Sequence, residues 1–116
     1  MWYGWANLEI LMAEVKYLAG KVVRWPLPIL TGRPGPDAPT LKRLRLAQGE
    51  LAQVHDSDEG IHYLATLELR ESGVRGNHYH RIKRERVYVL QGRLTVVVED
   101  IQTRERATVP LATGDL

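Results

Sequence analysis

Apolar positions in the first twenty residues recur with a helical period. Leu8, Leu11, Met12, Val15, Leu18 and Ala19 follow the i, i+3, i+4, i+7 spacing of an amphipathic α-helix. Asn7 suits the N-cap, where its side-chain oxygen can accept from first-turn amides, and Gly20 suits the residue just past the end. The pattern predicts a short N-terminal helix covering one end of a domain, with a docking helix for a second subunit as the alternative. Trp2, Tyr3 and Trp5 read as packing anchors ahead of it.

The pattern then breaks. Five of the six prolines fall between Pro26 and Pro39, with Gly32 and Gly35 among them. Proline fixes φ and removes an amide donor, so the stretch is expected to run extended, without helix or central strand. Its Pro36-x-x-Pro39 spacing reads more simply as a stiff crossover than as a ligand for small recognition domains.

From Thr40 the period changes to two. Leu44 and Leu46, then Leu51 to His55, predict two short strands about Gln48-Gly49-Glu50. Asp56 to Gly60 is a turn cluster. Ile61 to Arg70 alternates, with Ile61, Tyr63, Ala65, Leu67 and Leu69 on one face, and Glu71-Ser72-Gly73 ends that strand. Arg86 to Leu90 and Leu94 to Glu99 are β-branched-rich runs, predicted to form a hairpin about Gln91-Gly92-Arg93. Asp100 to Glu105 is turn-like, and Ala107 to Leu111 is a last strand. The organisation expected is a helix and Pro/Gly-rich lead-in over 1–39, followed by an all-β domain over 40–116, a sandwich or barrel.

Composition narrows the function classes. A chain of 116 residues fits one domain, and the absence of cysteine removes disulfide scaffolds and thiolate zinc sites. No apolar run approaches the ~20 residues of a membrane span, and nothing at the N-terminus reads as a signal peptide, so a cytoplasmic protein without a membrane partner is expected. Sixteen Lys and Arg against fourteen Asp and Glu leave +2, too little for a nucleic-acid footprint. Six basic residues do lie between Arg70 and Arg86, which could favour a small anion or simply be a solvated strand face. There is no phosphate-cradling glycine loop and no nucleophile elbow.

One segment concentrates chemistry: Gly73-Val-Arg-Gly-Asn-His78-Tyr-His80-Arg-Ile-Lys-Arg-Glu85, with Gly92 beyond. Residues two apart on a strand point the same way, so His78 and His80 would share a face. Glu85 follows after room for a tight turn. Two imidazoles and a carboxylate can converge on one divalent ion and leave coordination positions open, a donor set suited to manganese, iron, nickel or zinc. Arg75 and Arg81 could hold a pyrophosphate or other anionic group of a small-molecule ligand, though solvated strand ends explain them as well. Without metal, His78 or His80 could serve as a general base, with Tyr79 or Tyr88 as proton donor, although both tyrosines have the opposite parity. His55 beside Asp56 and Asp58 reads as turn chemistry, and His62 lies on the face opposite Ile61 and Tyr63.

The run His78-x-His80-x4-Glu85-x6-Gly92 resembles the first motif of the cupin superfamily, written G-x5-H-x-H-x3,4-E-x6-G. Gly73 stands one residue too near His78 for that pattern. Arg75-Gly76-Asn77-His78-Tyr79-His80 is also similar to cupin domains of nucleotide-sugar and polysaccharide biosynthesis proteins. The resemblance covers roughly residues 61–116. It implies an antiparallel, jelly-roll-like β-barrel with a metal or small-molecule site inside, and His78, His80 and Glu85 as metal ligands. The second cupin motif, which supplies a fourth histidine, is met only at its entrance, Gly114-Asp115. A barrel cut short there would leave a strand edge open and Val96 and Val98 partly uncovered, so a homodimer is expected. Three functions remain open: a metal-binding cupin acting on a small polar metabolite, a metal-free isomerase or epimerase of a nucleotide-linked sugar, and a non-enzymatic binding or regulatory module.

Overall fold

The longest regular feature is an antiparallel hairpin near the C-terminus, and it shows how period-two sequence becomes structure. Leu94, Val96 and Val98 alternate with exposed Arg93, Thr95, Val97 and Glu99; Ala107, Val109 and Leu111 alternate likewise with exposed partners. The register sets Leu94 opposite Leu111, Val96 opposite Val109 and Val98 opposite Ala107, so both apolar sets share one face.

In the computed structural model, which describes residues 14–81 and 83–116, the strands in chain order are β1 (Val15–Tyr17), β2 (Val22–Arg24), β3 (Ile29–Leu30), β4 (Lys42–Leu46), β5 (Gly49–Gln53), β6 (Arg93–Glu99) and β7 (Arg106–Ala112). They form three small sheets, β1-β2, β3-β4-β5 and β6-β7. The described residues are thus all-β; they contain no helix, and their sheets do not close into a barrel. No helix long and apolar enough to cross a membrane occurs among them. They divide into one unit of 14–56 with 87–116, and a second of 57–86.

The predicted N-terminal helix is corrected where it can be compared. Val15–Tyr17 is strand, and Leu18, Ala19 and Gly20 all take positive φ in the turn leading to β2. The Val-Lys-Tyr run pairs with Val22–Arg24, and no α-helix passes through three consecutive left-handed residues. The rest of that prediction, Asn7 to Met12 and the aromatic residues before it, lies outside the described residues.

The Pro-rich stretch is extended, as its prolines require. β3 sits within it at the sheet edge, parallel to β4, and the amide of Arg43 donates to Pro28 O at 2.8 Å. β4 and β5 form the expected hairpin, Leu46 opposite Gly49.

Two strand predictions are corrected. Residues 61–70 are exposed and form no strand, because no described segment offers them an edge. Residues 86–90 do not pair with β6. Gly92 turns with φ +102° and pairs with Thr113, its amide donating to Thr113 Oγ1 and its carbonyl accepting from Thr113 N, which extends the β6-β7 ladder by one step. The chain before Gly92 is thereby aimed at 114–115: Val89 N donates to Asp115 O, and Gly114 N donates to Val89 O. On its other side, 114–116 pairs with 25–27, where Trp25 and Leu116 exchange two backbone bonds and Leu27 N donates to Gly114 O.

This three-way junction holds the core of the first unit. Leu27, Val89 and Val109 are its buried apolar side chains, and Lys42, Arg43 and Asp115 are buried with them. Each of the three charged groups has a partner: Lys42 Nζ donates to Pro39 O and Thr40 O, Arg43 pairs with Glu50 at 3.0 Å, and Asp115 pairs with Arg24.

Candidate functional site

The histidine-rich segment lies in the second unit, so its geometry follows from that unit's own contacts. Ser57 Oγ accepts from Glu59 N at 3.2 Å and sets the first turn. Arg86 Nη2 donates to Glu59 Oε2 at 3.1 Å, joining the two ends of the unit. Lys83 Nζ stands 4.8 Å from the centre of the Tyr63 ring, a cation–π contact. At the far bend, Gly73 N donates to Arg70 O at 2.8 Å, and a Cβ on Gly73 would fall 2.8 Å from the same carbonyl. Gly76 and Asn77 both have positive φ, redirecting the chain just before His78.

Past that redirection His80 lies beside each of the other two predicted ligands. The His78 and His80 rings lie edge to face with centroids 4.8 Å apart. His80 Nε2 is 3.1 Å from Glu85 Oε2, an imidazole nitrogen beside a carboxylate. The His80 side chain is 30% exposed and that of Glu85 52%, so the cluster opens to solvent on the carboxylate side. Tyr79, between the histidines, is exposed and takes no part in these contacts.

The spacing suits a shared ion in part. Two donors bound about 2.1 Å from one ion at right angles lie roughly 3.0 Å apart, and two imidazoles so held place their centroids roughly 4.6 Å apart. The His80–Glu85 and His78–His80 contacts match those separations. Even so, no set of three His, Asp or Glu among the described residues is grouped closely enough to hold an ion as it stands.

The other candidates are placed as follows. Arg75 and Arg81 are exposed in the same unit and make no ion pair among the described residues, which leaves both available to an anion. His62 is exposed and does not join the trio, and His55 belongs to the first unit. Tyr88 also belongs there, in the field of Arg43 and Glu50; burial holds its phenol above the ordinary value of 10.0, Arg43 opposing and Glu50 adding.

The first unit holds a charged cluster that sequence did not single out. Glu50 Oε1 accepts from Arg45 Nε at 3.1 Å and pairs with Arg43 Nη2 at 3.0 Å, and the buried Nε of Arg43 has no hydrogen-bond partner among the described residues. Alternation in Lys-Arg-Leu-Arg-Leu points to Leu44 and Leu46 as the buried pair, whereas Lys42 and Arg43 are the buried residues. The one sequence signal was a glycine at 114: a Cβ there would stand 2.4 Å from Arg43 Nη1. Comparison with protein-family profiles, curated proteins and solved structures gave no match.

Proposed function

We propose that this chain is a small cupin-type protein that binds a divalent transition metal through His78, His80 and Glu85 and offers it to a small polar, anionic ligand. The observations that support this reading are two pairwise contacts through His80: its Nε2 lies 3.1 Å from Glu85 Oε2, and its ring centroid lies 4.8 Å from that of His78. Two neutral nitrogens and one carboxylate suit manganese, iron, nickel or zinc, and three protein ligands leave positions for water or substrate. The metal would act there as a Lewis acid toward a bound oxygen. Arg75 and Arg81 supply positive charge for a carboxylate or phosphate on the ligand.

A second reading rests on the same 3.1 Å contact. A carboxylate that fixes an imidazole's tautomer also makes that imidazole a general base, which suits a metal-free isomerase or epimerase. A binding module without catalysis is the third. Calorimetric titration with nickel, manganese and zinc, on wild type and on His78→Ala, His80→Ala and Glu85→Gln, tests the first. One ion per chain with at least ~10-fold weaker binding in each variant is expected. Equal, near-zero binding in all four proteins would overturn it. Turnover of nucleotide sugars persisting in chelator would then favour the second reading.

A further inference from the structure

The segment 61–69 is more apolar than its surroundings explain. Ile61, Tyr63, Leu64, Leu67 and Leu69 are between 42% and 85% exposed. Together they leave on the order of 600 Å² of side-chain surface exposed within nine residues. No backbone amide or carbonyl of 61–69 bonds to another described residue, although the alternation is that of a strand. Nine residues of strand sequence without an edge call for an edge from elsewhere.

We propose that residues 61–69 pair antiparallel with the same segment of a second copy, about a two-fold axis through Ala65. The segment is complementary to itself in one register. With Ala65 opposite Ala65, Ile61 of one copy meets Leu69 of the other and Tyr63 meets Leu67, all on one face. On the other face His62 meets Glu68 twice, an imidazole against a carboxylate, and Leu64 meets Thr66. Moving the axis to Thr66 would set His62 opposite Arg70 and Leu64 opposite Glu68, losing the charge match. Moving it to a point between residues would set every apolar residue opposite one from the polar face. Among the described residues Glu68 pairs with Arg70 alone, and loosely, at 3.8 Å, so its carboxylate can turn to His62 of the second copy. This pairing does not depend on metal at the histidine site.

The chain lacks cysteine, so single cysteines report the register without background. Opposed residues in an antiparallel pair have Cα atoms roughly 4.5–5.5 Å apart, within disulfide range. Ala65→Cys, Leu64→Cys and Thr66→Cys in the full chain, oxidised with diamide in EDTA, would be followed by non-reducing electrophoresis. Ala65→Cys should give a disulfide-linked dimer at least ~10 times faster than either neighbour alone. An equimolar mixture of Leu64→Cys and Thr66→Cys should crosslink faster than each alone, because those positions face each other. In sedimentation, wild type should show a concentration-dependent dimer and Leu67→Glu a monomer. A wild-type monomer at several hundred micromolar, equal crosslinking at all three positions, or a mixture no faster than its components would overturn the pairing. The last two results would indicate face-to-face association or non-specific collision.

Discussion

Arg24 Nε donates to Asp115 Oδ2 at 3.0 Å, and the same oxygen accepts the amide of Ala112 at 2.9 Å. One carboxylate thus ties β2 to the end of β7 across 91 positions of sequence. The Asp115 side chain is only 7% exposed and that of Arg24 27%, which gives the pair more weight than a surface ion pair. Asp115→Ala strands a part-buried guanidinium and a backbone amide. Its expected cost is about 2–4 kcal/mol in denaturant unfolding. Asp115→Asn keeps an acceptor for Ala112 and should cost roughly half that.

Gly114 and Gly92 offer a matched comparison. Both have positive φ, +90° and +102°. A Cβ on Gly92 meets open space, whereas one on Gly114 meets Arg43 Nη1 at 2.4 Å and Cδ at 2.9 Å. Gly92→Ala should therefore cost about 1 kcal/mol from backbone strain alone. Gly114→Ala should cost clearly more, about 2–4 kcal/mol, because Arg43 is buried and must leave its place. Equal midpoint shifts in urea would show that Arg43 yields freely.

Acid stability should depend on Asp100. Its carboxylate accepts from Lys21 Nζ and from the amides of Gln102 and Thr103, and the Lys21 hydrogen bond is the main reason its pKa falls below the ordinary 3.8. A depressed carboxyl stabilises the fold above its unfolded value and loses that contribution as pH falls through its folded value. Wild type should lose this contribution below about pH 4. Asp100→Asn should lack that part of the slope, and Lys21→Ala should reduce it, in unfolding midpoints measured from pH 5 to pH 2.

The proposed metal ligation should be opposed by protons. Imidazole and carboxylate must both be deprotonated to bind an ion, so nickel affinity should fall on acidification from neutral pH, with proton release on binding at mildly acid pH. Tyr79→Ala should leave affinity within about twofold, since Tyr79 makes none of the contacts at the cluster. Calorimetry in two buffers of different ionisation enthalpy measures both effects.

Local pattern carried the β4-β5 hairpin and the strands of the other. The alternations of Leu94, Val96 and Val98 and of Ala107, Val109 and Leu111 are legible, but the turn signal at Gln91-Gly92-Arg93 assigns 94–99 to 86–90, whereas it pairs with β7. The same alternation over Ile61 to Leu69 produced no strand: a period of two says which face could be covered, not whether an edge is available. The helical period before Gly20 misled in the described part because three left-handed residues intervene, and the backbone conformation of Leu18 and Ala19 has no sequence signature. At the candidate site, the spacing of His78, His80 and Glu85 singled out side chains that touch. The burial of Arg43 and Asp115 was not legible, because it depends on strands brought together from opposite ends of the sequence.

The junction of 25–27, 89 and 114–116 also orders events in time. The β4-β5 and β6-β7 hairpins close within a few residues and can form as soon as each is synthesised. Trp25 and Leu27 are made early, yet the backbone groups that pair with them belong to Gly114 and Leu116. On the ribosome, Trp25 and Leu27 must wait until that segment has cleared the exit tunnel, and the entropy of closing so long a loop falls on this single event. During that interval the nascent chain would keep its β1-β2 and β4-β5 hairpins but not its buried Leu27 and Val89, a partly folded form that a chaperone or protease would meet first.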